Sequence, residues 1–71
     1  MSLDAREIGQ RIRSVRRNKK VRQRELGDIL GFSENYIGKL ETGKRIPSLD
    51  ALVRIADYFD VSLDYLVRGK E

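Results

Sequence analysis

The stretch from Gln23 to Gly43, Gln-Arg-Glu-Leu-Gly-Asp-Ile-Leu-Gly-Phe-Ser-Glu-Asn-Tyr-Ile-Gly-Lys-Leu-Glu-Thr-Gly, decides how this chain folds. Leu26, Ile29 and Leu30 fall at i, i+3, i+4, and Ile37 and Leu40 are three apart, so each half carries an apolar stripe at helical spacing. Between the halves, Gly31 suits the left-handed position that ends a helix. Ser33 can then accept a backbone amide and cap the next helix, which Gly43 ends by the same device. Gly27 places a small residue where the two helices can cross closely.

The helical period continues on both sides. Ile8, Ile12 and Val15 follow i, i+4, i+7; Leu49, Leu52, Val53, Ala56 and Phe59 repeat the pattern over three turns, and Leu63, Leu66 and Val67 close it. Asp4 with Glu7 reads as a capping box opening a helix to about Asn18. Pro47 and Ser48 open a longer helix to about Phe59. Ser62 caps a last one, with Asp64 in its first turn, where the helix dipole favours an acid. The expected helices are 5–18, 23–30, 34–41, 49–59 and 63–67, in a single domain spanning 1–71. No run alternates with period two long enough for a strand. One cap is missing: the second helix starts after Arg22, where Ser or Thr would be worth about 0.5–2 kcal/mol. Glu25 can supply half of a box, and phosphate contact is the obvious reason to keep an arginine there.

Composition narrows the functions. A chain of 71 residues, 39% apolar, has room for one small core and none for a deep catalytic cleft. It contains no cysteine and no histidine, which removes disulfides, thiolate nucleophiles, imidazole bases and the common zinc sites. No cofactor, metal or enzymatic activity is expected. Extra stability must come from regular helix packing or self-association. The net charge of +4 is unevenly placed. Residues 1–24 hold nine basic groups against Asp4 and Glu7, whereas residues 25–47 balance to −1 and residues 48–71 to −2. A basic first third suggests a face that meets a polyanion, although Lys and Arg also simply solvate helix surfaces. The longest apolar runs are three residues, far short of the roughly 20 of a membrane span, and the amino terminus lacks the apolar stretch of a signal peptide. A cytoplasmic location is expected.

Two short helices joined by a glycine turn, the second held against the first by Ile37 and Leu40, form the pattern of a DNA-binding helix-turn-helix. The chain resembles the phage-repressor and Cro-like (XRE) family of such domains. The resemblance rests on Ile8-Gly-Gln-Arg-Ile12, Val15-Arg16, Gln23-x-Glu25-Leu26, Leu30-Gly31-Phe-Ser33, Tyr36-Ile37-x-Lys39-Leu40-Glu41-x-Gly43-Lys44, Pro47-Ser48-Leu49, Leu52-x-x-Ile55-Ala56 and Val61-Ser62-Leu63-Asp-Tyr-Leu66, and covers residues 6–67. It implies an all-α, compact five-helix domain with a central helix-turn-helix, lambda-repressor-like. It also implies a sequence-specific double-stranded DNA-binding regulator, a repressor or autoregulator acting as a homodimer on a palindromic operator with half-sites about 34 Å apart.

The resemblance distributes roles as follows. Ser33, Glu34, Asn35 and Lys39 face the bases: Asn35 could pair with adenine, Lys39 reach guanine and Glu34 accept from cytosine. Glu34 can equally be a first-turn acid at the helix dipole, and Ser33 is first a cap. Arg22, Gln23, Arg24, Thr42, Lys44 and Arg45 are placed for phosphates, and Gln23 can also brace the recognition helix. Tyr36 is grouped with them, with a thymine methyl or the edge of the core as its other options. Arg16 and Glu41 are expected to form a partly buried ion pair, a structural role. Tyr58, Val61, Leu63, Tyr65 and Val67 are the candidate dimer surface; the alternative is that they only complete the monomer core.

Three other readings fail or compete. Gly38-x4-Gly43-Lys44 imitates a phosphate-binding loop, but Arg45 stands where Ser or Thr would hold magnesium, and the segment is helical rather than following a strand. Asp57 and Asp60 have no pocket-sized fold around them. The first helix lacks the aromatic anchors of a membrane-surface helix. The rival function is an antitoxin or adaptor that uses the same fold to bind a protein partner such as a toxin. An adaptor has no need to gather +7 beside the helix-turn-helix, though an antitoxin can do both.

Overall fold

The computed structural model describes residues 3–70; residues 1, 2 and 71 of the expected 1–71 domain lie outside the described residues. The helices are α1 (Ala5–Asn18), α2 (Gln23–Leu30), α3 (Glu34–Glu41), α4 (Leu49–Phe59) and α5 (Leu63–Arg68), with no strand among the described residues. Helix α5 runs one residue further than its sequence suggests. Gly69, at φ +73°, ends it by donating its N–H to the Tyr65 carbonyl at 2.7 Å.

Side-chain caps start four of the helices. The Asp4 carboxylate accepts from the Arg6 and Glu7 amides. Ser33, Ser48 and Ser62 each place Oγ about one turn ahead, on the amides of Tyr36, Ala51 and Tyr65. The box expected at Asp4 is only half made, because Glu7 turns away to pair with Arg11 one turn on, at 3.2 Å. Arg22 caps nothing, since a guanidinium has no acceptor. The Glu25 carboxylate compensates by accepting the Arg22 amide at 3.1 Å. Two helices end on left-handed residues that are not glycine: Lys20 (φ 59°) just after α1 and Asp60 (φ 54°) after α4.

Ile8, Ile12, Leu26, Ile37, Leu40, Ile55 and Leu66 are fully buried, so all five helices feed one core. Two glycines let backbones touch. A Cβ at Gly9 of α1 would lie 2.2 Å from the Leu40 carbonyl oxygen, and one at Gly27 of α2 would lie 2.5 Å from that of Phe32. Helix α3 is thereby gripped from both sides, by α1 across its carboxy-terminal end and by α2 at its entry. Arg11 Nη1 donates to the Leu66 and Val67 carbonyls, at 3.1 and 3.0 Å, and satisfies the otherwise orphaned end of α5. Among the described residues, no helix is long and apolar enough to cross a membrane.

Candidate nucleic-acid interface

Helix α3 buries Ile37, Leu40 and Glu41 and leaves the opposite side open. At about 100° per residue, Asn35, Lys39 and Thr42 share that open face. All three are exposed, and so are Ser33 and Glu34 at the amino end. Asn35 and Lys39 make no ion pair or side-chain hydrogen bond among the described residues, so their polar ends are available to a ligand. Ser33 acts as the cap, accepting from the Tyr36 amide at 3.0 Å, which leaves its own hydroxyl proton to donate. Thr42 is less free than its position suggests. Its hydroxyl donates back to the Gly38 carbonyl at 3.0 Å, so a phosphate contact requires that rotor to turn.

The open face of α3 is held in place by a buried charge network. Arg16 Nε and Nη2 meet the two carboxylate oxygens of Glu41 at 2.5 and 3.0 Å, while Arg16 Nη1 donates to the Val21 carbonyl at 2.8 Å. Gln23 Nε2 donates to Glu41 Oε1 at 3.0 Å. One carboxylate therefore gathers α1, the turn before α2 and the first residue of α2 onto the end of α3. Gln23 was expected on a phosphate as well. Its amide nitrogen carries two protons, one held by Glu41 and the second available to an anion. No buried side-chain polar atom is left unpartnered among the described residues.

The phosphate candidates lie in two groups beside α3. Arg22 and Arg24 are exposed at the start of α2. Lys44 and Arg45 are exposed in the loop after α3, where Gly43 adopts φ +79°. Both loop amides fold back onto the Lys39 carbonyl, at 3.0 and 3.2 Å, so the side chains alone project. Tyr36 is half-buried between two neighbours. Its ring lies 5.1 Å from that of Phe32, and the Arg45 guanidinium stands 5.9 Å from its centroid. The ring also packs against the edge of the core.

Arg54, which carries no sequence signal for an interface role, extends this stack. It lies 5.5 Å over the Phe32 ring and donates to the Leu30 carbonyl at 2.8 Å, tying α4 to the turn between α2 and α3. Its i, i+4 spacing from Asp50 signals the surface pair at 3.1 Å but not this longer reach.

The candidate dimer residues divide. Val61, Tyr65 and Val67 pack against the core, whereas Tyr58 and Leu63 remain 41% and 39% exposed.

A family model described as helix-turn-helix matches residues 12–66, which takes in α2, α3 and α4 whole. The chain belongs to the phage-repressor and Cro-like helix-turn-helix family. It is 34% identical over 64 residues to the ImmF control region 10 kDa protein of Bacillus phage phi105, covering 90% of this chain and 71% of that protein. It is also 34% identical over 62 residues to the SPbeta prophage-derived HTH-type transcriptional regulator YonR of Bacillus subtilis, covering 87% of this chain and 57% of the relative. This helix-turn-helix chain thus spans little more than half the length of some of the curated relatives it matches. Among solved structures, the P22 c2 repressor in complex with a synthetic operator superposes with a TM-score of 0.84 at 33% identity, covering 89% of this chain and 96% of that one.

Proposed function

We propose that this domain is a cytoplasmic, sequence-specific double-stranded DNA-binding regulator, a repressor or autoregulator, which reads a palindromic operator as a homodimer. The observation that carries the reading is the open face of α3. Asn35 and Lys39 project from a helix whose other side is locked by Ile37, Leu40 and the Arg16–Glu41–Gln23 network, and exposed cations lie beside it at the start of α2 and in the loop after α3. A rigid helix with free amide and ammonium ends suits base edges in a major groove, and the flanking cations suit the phosphates on either side.

In this account Asn35, Lys39, Ser33 and Glu34 set sequence choice. Arg22, Gln23, Arg24, Lys44 and Arg45 set affinity and orientation, with Thr42 and Tyr36 in support. The operator bound by the similar P22 c2 repressor supports the same use of the fold. Exposed Tyr58 and Leu63 offer apolar area for a two-fold contact.

A salt series tests the reading. Fluorescence anisotropy with a labelled mixed-sequence duplex should give binding whose log affinity falls linearly with log salt, with a slope of about −0.9 per phosphate contacted. No binding at 50 mM salt contradicts it. Light scattering at micromolar concentration tests the dimer.

A further inference from the structure

The corner between α1 and α2 breaks two local rules in the same direction. Lys20 occupies the left-handed region at φ 59°, where glycine or asparagine is the comfortable residue. Two positions later Arg22 occupies a cap position that it cannot fill. Both departures replace a residue that would suit the backbone with an exposed cation. Arg17, Lys19 and Arg24 are exposed beside them, and none of these five cations pairs with a carboxylate among the described residues. The corner is also fastened to the recognition helix. Arg16 holds the Val21 carbonyl at 2.8 Å and Glu41 of α3 with the same guanidinium. A cation at residue 20 is thus carried on the rigid frame that positions α3.

Residues that cost local stability and add unpaired charge at one place point to a ligand for that charge. We infer that Lys20, supported by Arg17, is a phosphate contact that extends the DNA footprint beyond the helix-turn-helix, onto the backbone flanking the sites held by Arg22 and Gln23. The inference rests on the DNA-binding reading and adds a residue to it.

Lys20→Asn and Lys20→Gly test it, because both substitutes accept the left-handed backbone while removing the charge. The probe is a labelled mixed-sequence duplex, titrated by anisotropy between 50 and 200 mM salt, with melting temperature measured alongside. The expected result is opposite movement: Tm unchanged or higher, by roughly 4–8 °C for glycine, and affinity lower. The salt slope should shrink by about 0.9, so that the wild-type advantage falls about 3.5-fold across this fourfold rise in salt. Lys20→Arg should retain the wild-type slope.

Unchanged affinity and slope in both neutral variants overturn the inference while leaving the DNA reading intact. Weaker binding accompanied by a lower Tm also overturns it, since the loss would then be one of folding. Failure of the wild-type protein to bind duplex at 50 mM salt removes the DNA reading and this inference together.

Discussion

Arg16 and Glu41, 25 residues apart in sequence, meet as a two-pronged pair whose side chains are 9% and 1% exposed. Each charge is removed from water and compensated only by the other and by two neutral partners, Val21 and Gln23. Removing one partner strands the other. Glu41→Ala should therefore destabilise the fold by about 3–5 kcal/mol, visible as a large drop in Tm by circular dichroism. A Glu41→Ala protein that melts normally but prefers different bases would contradict the structural role. Replacing the pair jointly, as Arg16→Met with Glu41→Leu, should recover most of the loss, because neither charge is then left buried alone.

Gly9 should tolerate no side chain. The Cβ of alanine would meet two backbone carbonyls, those of Leu40 and Glu41, at 2.2 and 2.7 Å, and neither can rotate away. Gly9→Ala should cost at least about 1–3 kcal/mol by prising α1 from α3. Thermal denaturation checks it. Gly38→Ala serves as the control, since the nearest atom to its Cβ would be in the flexible Gln23 side chain, at 3.8 Å.

Arg22→Ser should move stability and binding in opposite directions. Serine can accept from the backbone amides that Arg22 leaves uncapped, a gain of about 0.5–2 kcal/mol. The lost cation should weaken binding to all duplexes alike and reduce the salt slope by about 0.9. Chemical denaturation together with the salt series measures both.

The helix boundaries were legible because their punctuation is local. Ser33, Ser48 and Ser62 cap, and Gly31 and Gly43 turn, through bonds that reach six residues at most. The ends of α1 and α4 were legible from periodicity, but their left-handed conformations were not, since Lys20 and Asp60 carry no glycine signal. What sequence spacing could not supply was contact across the fold. Arg54 reaches Leu30, and Arg11 reaches Leu66 and Val67, through long side chains whose targets are carbonyls that any residue provides. The same limit applies within the interface. Asn35 and Lys39 are exposed on the side of α3 away from Ile37 and Leu40, and the bracing expected of Gln23 is its bond to Glu41, whereas the engagement of the Thr42 hydroxyl with Gly38 carries no sequence signal. Of the candidate dimer residues, Val61, Tyr65 and Val67 are partly buried against the core while Tyr58 and Leu63 are exposed, and all five remain to be tested by light scattering.

Asn35→Ala should separate reading from folding. The side chain is exposed, so stability should stay within about 0.5 kcal/mol of wild type. Discrimination at a single base position should fall by about 1–3 kcal/mol, with the rest of the preferred site unchanged. Competition titrations against single-base variants of that site measure it.

Whether the open face of α3 reads a specific duplex while nearby cations hold the backbone is decided by selecting bound sequences from random duplex DNA at two salt concentrations. One palindrome should be enriched, with half-site centres about 34 Å apart and total yield falling steeply at the higher salt. Recovery of no enriched sequence, with weak binding even at the lower salt, would contradict it.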